Sequence, residues 1–530
     1  MGFSPVTNVM AVELSDFSTQ GTERQLEGNH PIPVFGSTVA AFLGRTQRGP
    51  LNSAVRVGSF EEFRRVFGGH VSFSYVSHSV QQFFQHGGSV AVVVRVANRA
   101  KRATLPIPAG EQVLHLEARD PGAHCHLRAS IDVDGLRDDQ KDRFNLVVQR
   151  LARPGSQLVE DQELFHSLSM DAEDKRSIVE VLKNSDLVTV ARPLPRQRPD
   201  VTRTTHPGHP IPYVEMTFNG FDGEELTDYD IVGSNDNGTG LFSLDSAPRI
   251  DLLCVPAARS GKDLGITTFL AAERYCENRK AMLIWDAPMS WNSPEAALLG
   301  LRNSSMASQN VMTYFPRVTM TERSSRVQDV IPACGVVAGL LSQNDRAGVW
   351  NGLDGGDVQL KAGLSVRETL DEKQISMLQR SGVNVFVPNA RGSYELCGDV
   401  TLAGTRLVSQ VWQRSHRRRL AFFVLSSIER HTAWAAKRPR DDQLWQDLTA
   451  QVTSFLTELF ERGAFSGSRA SQAFSVKTGP ALQHDTSELI LRVGFALERA
   501  GEFQSYDIIH SESESISRSA RSVEIAQLAG

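Results

Sequence analysis

From about residue 230 onward, short apolar segments alternate with longer segments that have helical periodicity. Residues 252–255 form an apolar run with the length of a buried strand, residues 266–279 have the spacing of a helix, and residues 281–285 are again apolar. Such alternation is typical of layered α/β folds, in which helices cover a buried sheet. We interpret three further segments as strands or buried segments: 336–342, 383–388 and 420–425.

The same alternation begins earlier in the chain. Residues 37–44 and the valine-rich residues 91–96 have the composition of buried strands. Ser59, followed by two glutamates, predicts the start of a short helix that ends at Gly68. A second helix is predicted over residues 75–85. Together the two regions predict a mixed-sheet α/β core with flanking helices.

Residues 101–205 differ in pattern and predict an inserted, mainly β domain. Short alternating strands are predicted at 113–116, 126–133 and 144–148, and one charged helix at 172–184. A stiff Pro/Arg-rich linker follows at 192–212. Because this pattern interrupts the α/β alternation, the core is expected to be discontinuous in sequence.

The two ends of the chain contain few large apolar residues. In residues 1–30, Val12, Leu14 and Phe17 give the only indication of an alternating strand, and residues 511–530 are rich in Ser, Glu and Arg. The clearest helix of the sequence is predicted over residues 441–462, which have one continuous apolar face. A last core strand is predicted at 489–495.

Composition excludes several classes of protein. Of 530 residues, 40% are hydrophobic and 22% charged, so a sizeable core can form, and the net charge of −5 gives no general attraction for nucleic acid. Five scattered cysteines without a CxxC pair favour free thiols in a reducing compartment. We see no signal peptide and no apolar run of the roughly 18 residues that would span a bilayer.

Four local patterns could carry chemistry, and each has a simpler interpretation. The loop 233–240 lacks the spacing of a phosphate-binding or calcium loop, and Ser260-Gly261-Lys262 lacks the earlier glycine of a P-loop. His124-Cys125-His126 and the pair His206/His209 have no evident partner cluster for zinc. The basic run 414–419 lacks the interleaved aromatic residues of a single-strand binder. We therefore predict no catalytic, cofactor or metal site.

Four blocks of small, apolar and glycine residues follow one another in a defined order. They are Ala41-Phe42-Leu43-Gly44-Arg45-Thr46 with Arg48-Gly49-Pro50; Val232-Gly233-Ser234-Asn235-Asp236; Ile331-Pro332-Ala333-Cys334-Gly335 with Val337-Ala338-Gly339; and Gly404-Thr405-Arg406 with Val493-Gly494-Phe495 and Glu502-Phe503. In this order the blocks resemble the tail sheath proteins of contractile phages and phage-like injection particles. The resemblance covers most of 32–100 and 230–505, is weak in 101–205, and departs from the family in the loop at 233 and in a missing Pro-Gly start.

The resemblance implies a structural role instead of catalysis. Sheath subunits of this family form stacked hexameric rings around an inner tube and contract to drive the tube through a target membrane. The expected partners are other copies of this chain, an inner tube protein, and baseplate and tail terminator proteins, with no nucleic acid and no direct membrane insertion. Assembly is expected in the bacterial cytoplasm, followed by a place in a phage tail or a headless injection particle, between which the sequence does not choose.

The resemblance also implies a division of the chain. We expect an N-terminal arm (1–30), a discontinuous α/β core (31–100 and 206–502), an inserted outer domain (101–205), a C-terminal arm strand (503–510) and a flexible tail (511–530). The arms would add strands to neighbouring subunits through Val12, Leu14, Phe17, Phe503, Tyr506 and Ile508. Contact with the tube or a neighbour is expected from Arg417, Arg418, Arg419, Gln451 and Glu458. The alternative, an α/β nucleotide-binding or hydrolase-like enzyme with an inserted domain, requires a phosphate loop or catalytic set that the sequence does not display.

Overall fold

The computed structural model describes residues 31–520, except for 35, 138, 154, 204–211, 258–260, 305, 322–327, 354–357, 407–409, 484–487 and 512–514. The chain divides into two compact units. The large unit is Phe35–Phe423, and the C-terminal unit is Val424–Gly530 together with Met1–Val34. The predicted N-terminal arm, 1–30, lies outside the described residues.

The strands, in chain order, are β1 (Val39–Gly44), β2 (Ala54–Val57), β3 (Val90–Arg95), β4 (Arg102–Ala109), β5 (Gln112–Pro121), β6 (His126–Asp132), β7 (Arg143–Leu151), β8 (Val159–Ser169), β9 (Val188–Val190), β10 (Val214–Glu215), β11 (Leu252–Cys254), β12 (Met282–Asp286), β13 (Val311–Phe315), β14 (Val318–Thr321), β15 (Gln328–Ile331), β16 (Leu364–Val366), β17 (Asn384–Pro388), β18 (Tyr394–Cys397), β19 (Phe474–Lys477), β20 (Leu489–Ala496), β21 (Phe503–His510) and β22 (Ser515–Ser519). The α-helices are α1 (Phe60–Phe67), α2 (Val76–Gln85), α3 (Ile178–Val181), α4 (Asp228–Val232), α5 (Ile266–Arg279), α6 (Pro294–Ser304), α7 (Cys334–Asn344), α8 (Glu372–Arg380), α9 (Ser415–Thr432), α10 (Asp442–Glu461) and α11 (Ala470–Ala473).

An eight-stranded sheet forms the centre of the large unit, in the order β18-β17-β13-β12-β11-β1-β3-β2. The six inner strands are parallel, and the edge strands β18 and β2 pair antiparallel with their neighbours. Every residue of β3 is buried, as expected for a parallel strand covered on both faces. The predicted mixed-sheet α/β core is confirmed.

Helices cover both faces of this sheet. Alternate residues of β1 point to opposite sides: Ala40 and Phe42 pack with residues of α2 and α7, whereas Ala41 and Leu43 pack in the cluster that contains residues of α5, α6 and α8. The α2–α7 contact is close, because a Cβ added at Gly335 would lie 2.1 Å from the Ser79 carbonyl oxygen.

The segment between β3 and α4 is mainly β, as predicted. Its strands form two sheets, β10-β6-β7-β8 and β4-β5-β9, which share one apolar core that includes Leu105, Leu116, Leu127 and Phe144. A small third sheet of the large unit, β15-β14-β16, lies outside this segment. The boundaries 101–205 for a separate outer domain stay a prediction.

Two segments that we interpreted as strands or buried segments are helical. Residues 336–342 lie in α7, of which Cys334 to Ser342 are all buried, and 420–425 lie in α9. A short, continuously apolar run has no periodicity that separates a buried helix from a buried strand, which explains both differences.

The predicted helix 172–184 is reduced to α3 and one following 3₁₀ turn. Asp171 and Asp174 accept hydrogen bonds from the backbone amides of Glu173 (3.0 Å) and Arg176 (2.7 Å). Such local turns compete with helix formation at the residues where the helix was predicted to begin.

Candidate functional site

The C-terminal unit contains an antiparallel sheet in the order β19-β20-β21-β22. Strands β20 and β21 form a hairpin with eight residue pairs, from Leu489–His510 to Ala496–Phe503. The predicted arm residues Phe503, Tyr506 and Ile508 all lie in β21. In this structure β21 pairs within the chain, with β20 on one side and with β22 on the other. Pairing of β21 with a neighbouring subunit therefore stays a prediction.

A buried ion pair joins two opposite residues of the β20–β21 hairpin. Arg492 and Asp507 are directly opposite, with Nε to Oδ1 at 2.6 Å and Nη2 to Oδ2 at 2.9 Å. The Asp507 side chain is only 4% exposed, so its charge depends on this bidentate partner. A slip of one residue would separate the pair and move the buried apolar side chains to the opposite face.

His510 connects the end of β21 to two neighbouring elements. The Thr432 hydroxyl, at the end of α9, donates to the Ile428 carbonyl (2.7 Å), so its oxygen accepts from Nε2–H of His510 (2.8 Å). The Nδ1 atom of His510 then accepts from the hydroxyl of Ser515 in β22 (2.6 Å). Burial lowers the pKa of His510 to about 4, so the neutral ring that this pattern requires is the stable form at neutral pH.

Helix α10 confirms the predicted helix 441–462 to within one residue at each end. Asp441 caps it by accepting from the Leu444 amide at 2.8 Å. Of its two predicted contact residues, Gln451 is buried and binds inside the unit, to the Trp434 ring N–H and the His431 carbonyl (both 3.2 Å). Glu458 is exposed and pairs with Arg462 at 2.7 Å.

The predicted basic contact run lies on α9 instead of at a strand entrance. Arg419 is 5% exposed and forms an ion pair with Asp345, whose carboxylate also accepts from the Thr38 hydroxyl. Arg418 is buried as well, and its Nε donates to Asn310 Oδ1 at 2.9 Å. Arg417 is half-buried. The helical periodicity thus turns two of the three guanidinium groups into the core of the large unit, where they pair internally.

The candidate phosphate loop is closed by its own backbone. The Thr239 amide donates to the Ser234 carbonyl and the Ser234 amide to the Thr239 hydroxyl, both at 3.0 Å. A Cβ added at Gly233, whose φ is +69°, would lie 2.1 Å from the Thr239 carbonyl oxygen. The glycines therefore serve a tight turn. Nearby, Lys262 forms an ion pair with Glu225 at 2.7 Å.

The candidate metal ligands do not come together in the described part of the chain, where no group of three such side chains is close enough to hold an ion. His124 lies 3.6 Å from Asp222 and Cys125 is buried, while His206 and His209 lie outside the described residues. Among the described helices, none is long and apolar enough to cross a membrane.

A polar groove of about 810 Å³ lies in the large unit between the β7–β8 hairpin and residues 59–69. Four of its charged side chains form ion pairs, Arg48–Glu160 and Arg150–Asp161, both at 3.1 Å. Its one hydroxyl-bearing residue, Ser59, caps α1 by accepting from the Glu62 amide at 3.1 Å, as the sequence predicted. The groove is a set of structural ion pairs and a helix cap.

Sequence reasoning missed strand β22 and both polar contacts of β21. Residues 515–519 alternate serine with isoleucine and arginine, so period-2 hydrophobicity is absent. Arg492 and Asp507 are visible as opposite charges in two consecutive strands, which is a usable signal once the hairpin register is known.

Solved structures with this fold are known. A sheath tail protein from Listeria innocua superposes with a TM-score of 0.60 at 13% identity, covering 90% of this chain and 95% of its own. A sheath tail protein from Desulfitobacterium hafniense gives 0.55 at 11% identity, covering 90% and 97%. The contracted PVC sheath complex of an extracellular contractile injection system gives 0.51 at 15% identity, covering 94% and 97%.

The chain has the fold of a contractile sheath protein. The resemblance drawn from the four sequence blocks is thereby confirmed at the level of the fold. No family model and no curated protein sequence matches the chain. Each comparison covers at least 90% of this chain and at least 95% of the other chain.

Proposed function

We propose that this chain is the structural subunit of a contractile sheath, which polymerises as stacked hexameric rings around an inner tube and contracts to drive that tube through a membrane. The observation that carries the proposal is the sheath fold over at least 90% of the chain. The proposed partners are other copies of the chain, the inner tube protein, and baseplate and tail terminator proteins. Assembly in the bacterial cytoplasm, before release as a tail or injection particle, belongs to the same proposal.

An enzyme would need free phosphate-binding or catalytic side chains. The candidates for these roles have structural contacts instead, which supports the structural role. The glycine loop, Lys262 and Ser59 are each engaged in a turn, an ion pair or a helix cap. No specific observation favours a nucleotide or a small substrate. Energy for contraction would therefore come from contacts between subunits that improve when the lattice rearranges.

For the predicted contact residues, the burial pattern supports a narrower assignment. Gln451, Arg418 and Arg419 are buried, so we propose the more exposed Glu458 and Arg417 as the contacts with the tube or a neighbour. For the arms, we propose that Val12, Leu14 and Phe17 add a strand to the C-terminal sheet of another subunit.

Electron microscopy of negatively stained particles tests the proposal. The chain is expressed together with its inner tube protein, and the expected result is long striated tubes with a hexameric cross-section. The same chain without the tube protein serves as the control for self-polymerisation. A preparation that stays monomeric at every concentration, with and without the tube protein, would contradict the proposed function.

A further inference from the structure

Four large apolar side chains are exposed around the start of α5. Ile266 and Leu270 lie one turn apart on α5 and are 52% and 58% exposed. Tyr229, 79% exposed, lies on α4, which packs against the same end of α5. Met289 is placed beside them because its amide donates to Asp263, three residues before Ile266, at 2.7 Å. We call Tyr229, Ile266, Leu270 and Met289 the α5 patch. Single exposed apolar side chains are ordinary, but a group of them typically marks a surface that contacts another protein.

Another exposed apolar side chain of the large unit belongs to the turn of the β7–β8 hairpin, residues 152–158. Leu158 is 66% exposed, and hydrogen bonds inside the turn fix its backbone. Its amide donates to the Ser156 hydroxyl at 3.0 Å, and its carbonyl accepts from the Ala152 amide at 3.1 Å. Because the turn is already ordered, little backbone entropy is lost when it binds, which favours Leu158 as an anchor.

The α5 patch and the hairpin turn lie on opposite sides of the eight-stranded sheet. The hairpin is fixed beside α1, because Glu160 of β8 pairs with Arg48 at 3.1 Å, and Arg48 donates to the Arg65 carbonyl of α1 at 3.3 Å. Helix α1 packs in the apolar cluster that contains residues of α2 and α7, whereas α5 packs in the cluster on the other face. The two surfaces therefore do not meet within one chain.

The charges beside the two surfaces have opposite signs. Asp228 and Asp230 flank Tyr229, and in the described part of the chain they accept hydrogen bonds only from backbone amides and a hydroxyl. In the hairpin turn, Arg153 is exposed and forms no ion pair with any residue that the structure describes. Opposite charges at the rim of an apolar contact orient the two partners, although each exposed pair adds little affinity.

We propose that the hairpin turn of one copy of this chain docks on the α5 patch of a second copy. Leu158 would pack on the apolar side chains, and Arg153 would lie beside Asp228 and Asp230. The inference rests on the proposed function, in which copies of the chain are one another's partners. Two different surfaces on opposite sides of one chain make a head-to-tail contact, which repeats from copy to copy as a polymer requires.

Cross-linking between two cysteine variants tests this contact. Leu158→Cys and Leu270→Cys are made as separate proteins, mixed in equal amounts and treated with a short bis-maleimide, with and without the tube protein. The mixture should give covalent dimers at least tenfold faster than either variant alone, because only the mixture brings a hairpin-turn thiol to a patch thiol. A chain with both substitutions should give a ladder of higher oligomers. The wild-type chain is the control, since four of its five cysteines are buried.

The outcomes separate the contact from the proposed function. Covalent capture detects even a weak contact between free subunits, so it does not depend on tubes. Dimers that form no faster in the mixture than in the separate variants would overturn the inference, whether or not tubes form. Faster dimers in the mixture, from a protein that never forms tubes, would instead leave the contact in place and contradict the proposed function.

A charged substitution measures what the contact does for assembly. Leu158→Asp should need at least tenfold more subunit to form tubes with the tube protein, because its carboxylate would enter an apolar patch beside Asp228 and Asp230. Val113→Asp is the matched control on β5, where Val113 is 41% exposed, and it should assemble like the wild type. Far-UV circular dichroism checks the folding of both variants. Equal tube formation by the two variants would contradict docking of the hairpin turn.

Discussion

At the scale of single residues, the C-terminal sheet depends on charged and polar groups that have been taken out of water. Asp507 is 4% exposed and has one bidentate partner, Arg492. Breaking a buried pair leaves an uncompensated charge, which is the costly case. Arg492→Met should therefore lower the free energy of unfolding by about 3–5 kcal/mol. Urea denaturation measures the loss.

Arg499→Met is the matched control for this variant. Arg499 and Glu502 form an ion pair in the turn of the same hairpin, at 3.5 Å, but the side chains are 74% and 62% exposed. Exposed pairs contribute only about 0–1 kcal/mol, so the control should stay close to wild type. If both variants lose the same stability, the buried ion pair contributes no more than the exposed one.

His510 gives the sheet a pH dependence with a defined sign. Burial lowers its pKa from 6.5 to about 4, so below pH 6.5 the unfolded chain binds a proton before the folded chain does. The contribution of His510 to the free energy of unfolding should be constant above pH 6.5 and should fall as the pH drops towards 4. His86, with a pKa lowered to about 4 by the same cause, adds to the fall in the large unit.

The measurement compares urea unfolding of the wild-type chain and of His510→Gln at several pH values. An amide retains both a donor and an acceptor for Thr432 and Ser515 but does not titrate in this range. The variant should therefore lose less stability than the wild type between pH 7 and pH 5. Identical pH profiles for the two proteins would contradict the assignment to His510.

At the scale of elements, amphipathic periodicity and capping residues predicted the bounds of the long helices well. Helices α5 and α10 match their predicted bounds within one residue, because each presents one apolar face and a clear end. The buried segments of α7 and α9 carried no period, so the sequence left strand and buried segment open for both, and the structure shows helices. The burial of Arg418 and Arg419, which lie on α9, was not recognised from the sequence either. Strand β22 is held by backbone pairing, which side-chain pattern does not record.

The packing of α2 on α7 explains the small residues of the third sequence block. At Gly335 an added Cβ would lie 2.1 Å from the Ser79 carbonyl oxygen, and at Gly339 it would lie 2.6 Å from that of Phe83. Both contacts are with backbone, which does not move aside as a flexible side chain would. Gly335→Ala should therefore force the helices apart and cost about 1–3 kcal/mol, as overpacked cores do.

Thermal or urea unfolding measures this cost, with Gly69→Ala as the matched control. Gly69 has the nearest foreign atom, Gln47 Oε1, at 3.8 Å from an added Cβ, and its φ does not lie in the left-handed region. The control should stay within about 0.5 kcal/mol of wild type, as ordinary surface substitutions do. A Gly335→Ala protein as stable as the control would show that α2 and α7 have room to separate.

At the scale of the whole molecule, folding and assembly are expected to use different parts of the chain. The large unit has its own buried sheet, and the C-terminal unit has its own apolar cluster, which includes Leu444, Leu448 and Leu489. All residues of these two clusters lie after position 39. A head-to-tail polymer needs, in addition, a contact that links one copy to the next without closing.

Deletion of residues 1–18 should therefore separate the two processes. The shortened chain keeps both described cores, so its circular dichroism and its urea midpoint should match those of the full chain. It lacks Val12, Leu14 and Phe17, so it should sediment as single subunits under conditions in which the full chain forms tubes. Deletion of residues 521–530, which also lie outside the described residues, is the control and should leave tube formation intact. Normal tubes from the chain without residues 1–18 would show that the lattice is linked by contacts other than the N-terminal arm.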